Sequence, residues 1–516
     1  MSTALRPALP AGEQARTPRE VLTAMSGLLL AMFVSILANT IVANALPTIV
    51  GDLRGDQTGY TWVVTATLLA TTAVTPIWGK LADLFSKKLL VQAAIVIFLI
   101  GSIGAGFAHS MEVLIAWRFV QGIGAGGLQA LTQVVIAALI SPRERGRFAG
   151  YTGSVLAAAT VSGPLIGGLL VHTPALGWRW CFFVGVPVAL LALVVLQRTL
   201  TVPTLPREVH LDYWGATLIT GGVSALLVWV SLAGDQFPWV SPVSFSLVGL
   251  GVAALVAAVF VERRVPEPVV PMWLLRDRTV VLSVLGSIVV GCVMFGGSVF
   301  LGQYFQIGRS YDPTAAGLLT LPLIGGMLLG TTGGGQLISR FGRWKPYLVA
   351  GGIFLTGGLA LMSTVNHTTP IPLVGAYLVV LGLGLGLTIQ NFLLAVQNTV
   401  DITDIGAASS LVAFLRAMGG TVGVTVLGVL LDNRVTNALG NSDTELSDLP
   451  TLGPAEASVL RDAYGDGIGT VFGVTAVASL LTLAAVLLIR EVPLRTTVAR
   501  TPPKPAVEAP APAAGS

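Results

Sequence analysis

Of the 516 residues, 53% are hydrophobic and 10% charged, against about 25% charged in an ordinary soluble chain. No single soluble core buries that much apolar surface, so the composition excludes a soluble enzyme or signalling domain and requires repeated crossing of a bilayer. The net charge of +4 comes from basic residues scattered over short loops, which excludes a nucleic-acid-binding face.

A helix needs about 20 mostly apolar residues to cross a membrane. Residues 1–20 hold no such run and read as a disordered cytoplasmic tail. Apolar runs then follow at 24–47, 58–79, 88–108, 112–140, 148–171 and 178–197, a first six-helix bundle within residues 21–200. A pair at 212–232 and 241–261 occupies residues 201–265. Six more runs, at 279–303, 313–338, 346–365, 370–397, 405–431 and 469–490, make a second bundle within 266–490. The polar, acidic stretch 432–468 reads as an external loop, and the proline- and alanine-rich residues 491–516 as a second disordered cytoplasmic tail. The expected fold is an all-α polytopic membrane protein of fourteen transmembrane helices. It comprises two pseudo-symmetric six-helix bundles and two inserted helices, the seventh and eighth. The first run is long enough to span, so no cleavable signal peptide is expected.

Basic residues favour the cytoplasmic side of a membrane. With the N-terminus inside, only Arg54, Arg179, Arg309, Arg434 and Arg461 fall outside, and only Arg118 and Arg416 fall within spans. Dropping one helix would invert every later loop and spoil this bias. The chain is therefore expected in the plasma membrane, multi-pass, with both termini cytoplasmic.

Cys181 and Cys292 sit inside apolar runs and read as small packing residues. His109, His172, His210 and His367 show no metal-ligand spacing, so neither metal nor cofactor is expected. No GxxxxGK[ST] sequence is present, which excludes nucleotide hydrolysis by the P-loop route. Gly122-x-Gly124-x-x-Gly127 matches a dinucleotide fingerprint only formally, because it lies mid-span with no strand before it.

The chain repeats itself. The charged turn Gly79-Lys80-Leu81-Ala82-Asp83-Leu84-Phe85-Ser86-Lys87-Lys88 has a weaker copy beginning at Gly335 and running through Arg340, Gly342, Arg343 and Lys345. At a similar offset, Gly122, Gly124 and Gly126 have counterparts in Gly382, Gly384 and Gly386, and Gly163 and Gly167 in Gly419 and Gly423. Spans two, four and five thus map onto ten, twelve and thirteen. Two related halves facing each other are a common transporter design.

Charges at mid-membrane depth cost at least about 2.5–3.5 kcal/mol and face cavities or partners. Arg118 reads as a fixed cation beside a titrating group, as a donor to a broken backbone in helix 1 or 5, or as a residue snorkelling to the outer headgroups. Arg416 lies too deep to snorkel, among small residues. The acidic residues all fall in loops or near helix ends, with Asp83, Glu112, Asp212, Asp312 and Asp432 the deepest. Asp212 doubles as a helix cap. Asp83 is placed to accept the N-terminal amides of a helix in the other half, a latch that would close the inside. Arg143, Arg145 and Arg147 read by default as a solvated basic loop.

These stretches resemble the Major Facilitator Superfamily, specifically its fourteen-helix drug/proton antiporter branch, over roughly residues 24–490. Gly79 to Lys88 is similar to the family's loop 2–3 signature, with Leu84 where arginine is common and Ser86 where glycine is common. Arg118-Phe119-Val120-Gln121-Gly122 resembles the helix 4 signature, whose arginine is implicated in proton coupling. Ser162-Gly163-Pro164-Leu165-Ile166-Gly167-Gly168 resembles the helix 5 signature of exporters. Leu211-Asp212-Tyr213-Trp214-Gly215 resembles the start of helix 7 in that branch. The stretch from Asn39 to Pro47 matches helix 1 except at Asn39, where aspartate is usual.

The resemblance implies a secondary active exporter of amphipathic drugs or antibiotics, driven by proton antiport through alternating access. Its gate and conformational switch would be Gly79, Asp83, Lys87, Lys88, Gly163, Pro164 and Gly167. Proton coupling would fall to Arg118, Asp212 and Arg416. Asn39, Trp62, Gln129, Gln303, Tyr304, Gln390 and Asn391 would line the substrate cavity, with Gln133, Gln306 and Gln397 as further amides. The partners implied are a small amphipathic substrate, protons and the lipid bilayer, with a monomer as the working unit. An exporter of an endogenous lipid or secondary metabolite is the alternative that Asn39 leaves open. A non-transporting sensor or scaffold is the alternative that the two matching halves argue against.

Overall fold

The computed structural model describes residues 18–495 apart from 55–56, 174–175, 201–211, 235, 266–267, 271, 312, 402–403 and 439–453. The first bundle holds α1 (Pro18–Asp52), α2 (Gln57–Leu84), α3 (Lys87–Gly106), α4 (Met111–Leu139) and α5 (Pro142–His172). Its last span is broken at Val184 into α6 (Trp180–Phe183) and α7 (Gly185–Thr199). The inserted pair is α8 (Tyr213–Leu232) and α9 (Pro242–Glu262). The second bundle holds α10 (Arg278–Gln303), α11 (Pro313–Leu319), α12 (Leu321–Phe341), α13 (Lys345–Met362), α14 (Ile371–Thr399), α15 (Ile405–Ala438) and α16 (Pro454–Leu488). Among the described residues the only β-pairing is one isolated bridge, Ala233 to Phe237.

Thirteen of the described spans are long and apolar enough to cross a membrane, against the fourteen expected. The difference is α5. At 31 residues it is long enough, but it opens on Pro142-Arg143-Glu144-Arg145 and is rich in glycine and hydroxyl side chains. It packs between α1 and α12, where small residues let helix backbones approach without an apolar driving force.

The halves share one packing pattern. α2 lies on α4 as α12 lies on α14, α3 on α4 as α13 on α14, and α1 on α5 as α10 on α15. The duplicated glycines make these approaches possible: Gly122 and Gly126 sit against the α2 backbone, and Gly382 and Gly386 against that of α12. Each half has its own apolar core, around Phe98, Leu131 and Leu196 in the first and Phe300, Tyr304 and Trp344 in the second. A further cluster joins Leu69, Val223, Val280 and Leu411, so α8 is bound to both halves along the α2–α15 seam.

Two expectations need correction. The polar stretch 432–468 is not mainly a loop, because α15 continues to Ala438 and α16 starts at Pro454, with 439–453 outside the described residues. Nor does residue 491 begin a disordered tail. Glu491 Oε1 accepts from the Trp344 amide (3.2 Å) at the start of α13, and the Val492 carbonyl accepts from Trp344 Nε1 (2.9 Å). The Arg495 amide donates to Asn398 Oδ1 at 3.1 Å. The remainder of that segment, 496–516, lies outside the described residues, as do 1–17 of the N-terminal segment.

Candidate functional site

At the end of the molecule where α2 turns into α3, the two halves are tied by hydrogen bonds. Asp83 Oδ1 accepts from the Gly406 amide (2.9 Å) and Oδ2 from the Ala407 amide (2.8 Å), the first turn of α15. Those amides have no partner within their own helix, and the helix dipole favours an anion there. The approach depends on glycine: a Cβ on Gly79 would collide with Ser410 and the Gly406 carbonyl, and one on Gly406 with the Gly79 carbonyl and Asp83. Lys87 stands within electrostatic reach of the same carboxylate. Lys88 does not join it; its Nζ donates to the Gln197 carbonyl at 2.7 Å, fastening α3 to α7.

A second tie runs beside the first. Arg145 Nη1 donates across the halves to Gln397 Oε1 (2.7 Å), while Nε and Nη2 donate to the Ile140 (2.9 Å) and Ala137 (2.7 Å) carbonyls. Gln397 Nε2 continues to Ser409 at 2.8 Å. Arg143 Nε reaches the Ser339 carbonyl at 3.5 Å. Arg145 is 8% exposed, so it is not the solvated loop residue expected. Arg147 has no described side chain.

Gln133, Gln390 and Asn391 line a pocket between the halves with Arg145, Thr152 and Gln397, and its free volume is about 30 Å³. A water needs about 10–15 Å³. The pocket admits water, not a drug-sized molecule, and this end of the molecule is closed.

Deeper in the first half, Arg118 is 3% exposed. Its guanidinium spreads over three acceptors: Gln121 Oε1 (2.5 Å), Asn39 Oδ1 on α1 (3.4 Å) and the Val63 carbonyl on α2 (3.4 Å). Gln121 Nε2 extends the chain to Ser102 of α3 at 2.6 Å. This Arg118 is a helix-joining residue within the bundle, and snorkelling is ruled out by its burial.

Arg416 on α15 packs its backbone against Gly291 of α10, and its Nη1 is buried without a hydrogen-bond partner. Asp212 caps α8 through Oδ1, accepting from the Gly215 amide at 2.7 Å, and shares no hydrogen bond or ion pair with either arginine. The structure therefore does not gather Arg118, Asp212 and Arg416 into one site.

Gly163 and Gly167 of α5 meet Thr40 and Ile41 of α1, making the α1–α5 contact close; the side chain of Pro164 lies outside the described residues. Among the expected cavity residues, Tyr304 is a correction. It is fully buried in the second core, in a π-helical turn (Tyr304–Gly308), with its hydroxyl donated to the Asn366 carbonyl at 3.0 Å. A ring so committed presents nothing to a cavity. Gln303 has a buried Oε1 without a partner, Gln129 and Gln306 are exposed, and Trp62 and Asn39 are half-buried. Asp312 and the side chain of Asp432 lie outside the described residues.

Sequence reasoning missed the Arg145–Gln397 tie and the burial of Lys80 and Glu262. The arginine triplet flagged the region, but no local pattern distinguishes a buried arginine from a solvated one.

The sequence profile of the Major Facilitator Superfamily matches residues 28–424. An uncharacterized MFS-type transporter of Mycobacterium tuberculosis is 34% identical over 482 residues, 91% of this chain and 69% of that protein. The multidrug transporter protein MdtP of Bacillus subtilis is 33% identical over 434 residues, 84% of this chain and 79% of its own. Among solved structures, the human organic anion transporter MFSD10 superposes with a TM-score of 0.61 at 13% identity, over 90% of this chain and 100% of its own, a likeness of fold.

Proposed function

Because this chain belongs to the Major Facilitator Superfamily, we propose that it is a secondary active exporter of amphipathic drugs or antibiotics, working by proton antiport and alternating access in the plasma membrane. The observation that carries the reading is the Asp83 latch. A carboxylate on one half that holds the first amides of a helix on the other stabilises one closed end of the molecule and must let go for that end to open. The excess of Lys and Arg at the latch end supports a cytoplasmic position for it, and with it the reading of both termini as cytoplasmic. The described conformation is then closed inward. Crossing by α5 brings the spans to fourteen, as two bundles of six and an inserted pair, and a single copy of the chain contains both halves of the pathway.

Multidrug relatives of similar length support the cargo class. A second reading, export of an endogenous lipid or secondary metabolite, is favoured by one observation: the group facing Arg118 from α1 is the neutral Asn39, so that pair offers no negative charge to a cationic drug.

Ethidium accumulation in cells with and without the chain tests transport. Lower accumulation with the chain, abolished by a protonophore, is the expected result. Equal accumulation across a panel of neutral, cationic and anionic amphiphiles would remove the exporter reading, and insensitivity to the protonophore would remove proton antiport.

A further inference from the structure

Where the inserted pair meets α2, three ionisable side chains are withdrawn from solvent: Lys80 is 6% exposed, Asp212 7% and Glu262 3%. Glu262, the last residue of α9, turns back on its own chain and accepts from the Val269 (3.1 Å) and Val270 (3.0 Å) amides. Asp212 spends Oδ1 on the Gly215 amide at 2.7 Å. Its Oδ2 is fully buried and has no hydrogen-bond partner. That orphan oxygen and Glu262 Oε1 converge on one point over Gly215, where a methyl group would collide with both. Only glycine at position 215 lets the two carboxyl groups meet.

Lys80 and Asp212 both act on the Glu262 charge at short range. Among the described residues, the other charged groups on the neighbouring elements are directed elsewhere. Arg263, Arg264, Arg276 and Arg278 are exposed, Asp277 caps α10, and Asp83 holds α15 with Asp404 beside it. Counted over the described residues of the cluster, one ammonium and two carboxylates leave one negative charge over. Buried carboxylates in contact do not both stay ionised unless that charge is met. One proton would meet it and would also give the orphan oxygen a bond.

We propose that Asp212 and Glu262 form a proton-binding pair, holding one proton between Asp212 Oδ2 and Glu262 Oε1. The proton belongs to the pair and not to either residue. Lys80 lies on α2 one turn before Asp83, so loss of the proton sets a net negative charge against the helix that carries the latch. The inserted helices thereby report protonation to the gate. This deepens the proton-antiport reading by placing a proton, and it rests on that reading only for its role in transport.

The test reads the proton directly, by infrared difference spectroscopy of the full-length protein in lipid bilayers titrated from acid to alkaline pH. A protonated-carboxyl stretch that persists to neutral pH and vanishes on alkalinisation is expected in the wild type and in Asp83→Asn. It should be missing from Asp212→Asn and from Glu262→Gln. Lys80→Met should keep the band and move its loss to higher pH, because the ammonium that favours the ionised pair is gone; this variant keeps both carboxyl groups if either of the others fails to fold. No such band in the wild type, a band unchanged in both carboxyl variants, or a titration unmoved in Lys80→Met overturns the proposal in favour of a static clamp. A Glu262→Gln protein that loses the band yet keeps the wild-type pH profile of ethidium efflux overturns the coupling to the latch while leaving proton antiport itself intact.

Discussion

Asn39 on α1 accepts a 3.4 Å hydrogen bond from the buried guanidinium of Arg118 on α4, at the position where the drug/proton antiporter branch usually carries an aspartate. The pair joins α1 to α4 as an ion–dipole contact and leaves the arginine's charge without a carboxylate in its hydrogen-bonded shell. The acceptors it does use are two neutral amide oxygens and a backbone carbonyl.

Asn39→Asp should therefore convert this contact into a short charge pair. Minimum inhibitory concentrations for cations should rise relative to those for neutral amphiphiles, by about tenfold if the pair changes binding by about 1.4 kcal/mol. An unchanged ranking of compounds would show that α1 does not set charge preference.

Arg118→Lys and Arg118→Ala should fail alike. The guanidinium reaches three acceptors in three directions, one of them on α1 and one on α2, and an ammonium keeps the charge without the planar fork. Concentrative ethidium efflux should fall at least about tenfold in both variants, a loss of about 1.4 kcal/mol. Near-normal efflux in the lysine variant would mean that charge alone suffices.

Asp83→Asn should retain expression and lose most efflux. An amide offers one acceptor oxygen where the carboxylate serves two backbone donors, and charge-assisted bonds of this kind contribute about 1.5–3 kcal/mol. Spin-label distances across the α2–α15 seam should show the latch end open more often. Wild-type rates and distances would end the latch proposal.

Gly406→Val should open the same end by a different route, since its side chain would meet the Gly79 carbonyl and Asp83. Thiol labelling of a cysteine placed at Ser410 should speed up severalfold in Gly406→Val and stay slow in the Gly406 parent. Equal labelling would show that the helices close without the glycine contact.

Arg145→Ala and Gln397→Ala should be coupled. The 2.7 Å bond between them crosses the halves beside a pocket with room for water alone, and contacting residues show interaction energies of about 0.5–3 kcal/mol. Thermal unfolding of the two single variants and the double variant measures the coupling, and additive effects would mean that the bond contributes nothing to closure.

The all-helical, many-span fold, the order of the thirteen apolar spans among the described residues, the duplication and the matching offset of the glycine clusters were legible in the residues, because apolar length is a local property. A segment partitions into a bilayer, and its basic flanks choose a side, largely by its own composition. The exception within that class is α5, whose small and hydroxyl residues serve a helix contact and so dilute the apolar signal. The pairing of side chains across the fold was another matter. Asp83 with Gly406, Arg145 with Gln397 and Asp212 with Glu262 are each brought together by helix packing between distant parts of the chain. Their meeting depends on which helix faces approach within backbone contact, and no local pattern of hydropathy encodes that. Burial of Arg145, Lys80 and Glu262, the commitment of the Tyr304 hydroxyl to Asn366, and the orphan oxygen of Asp212 were decided only when the helices closed around them.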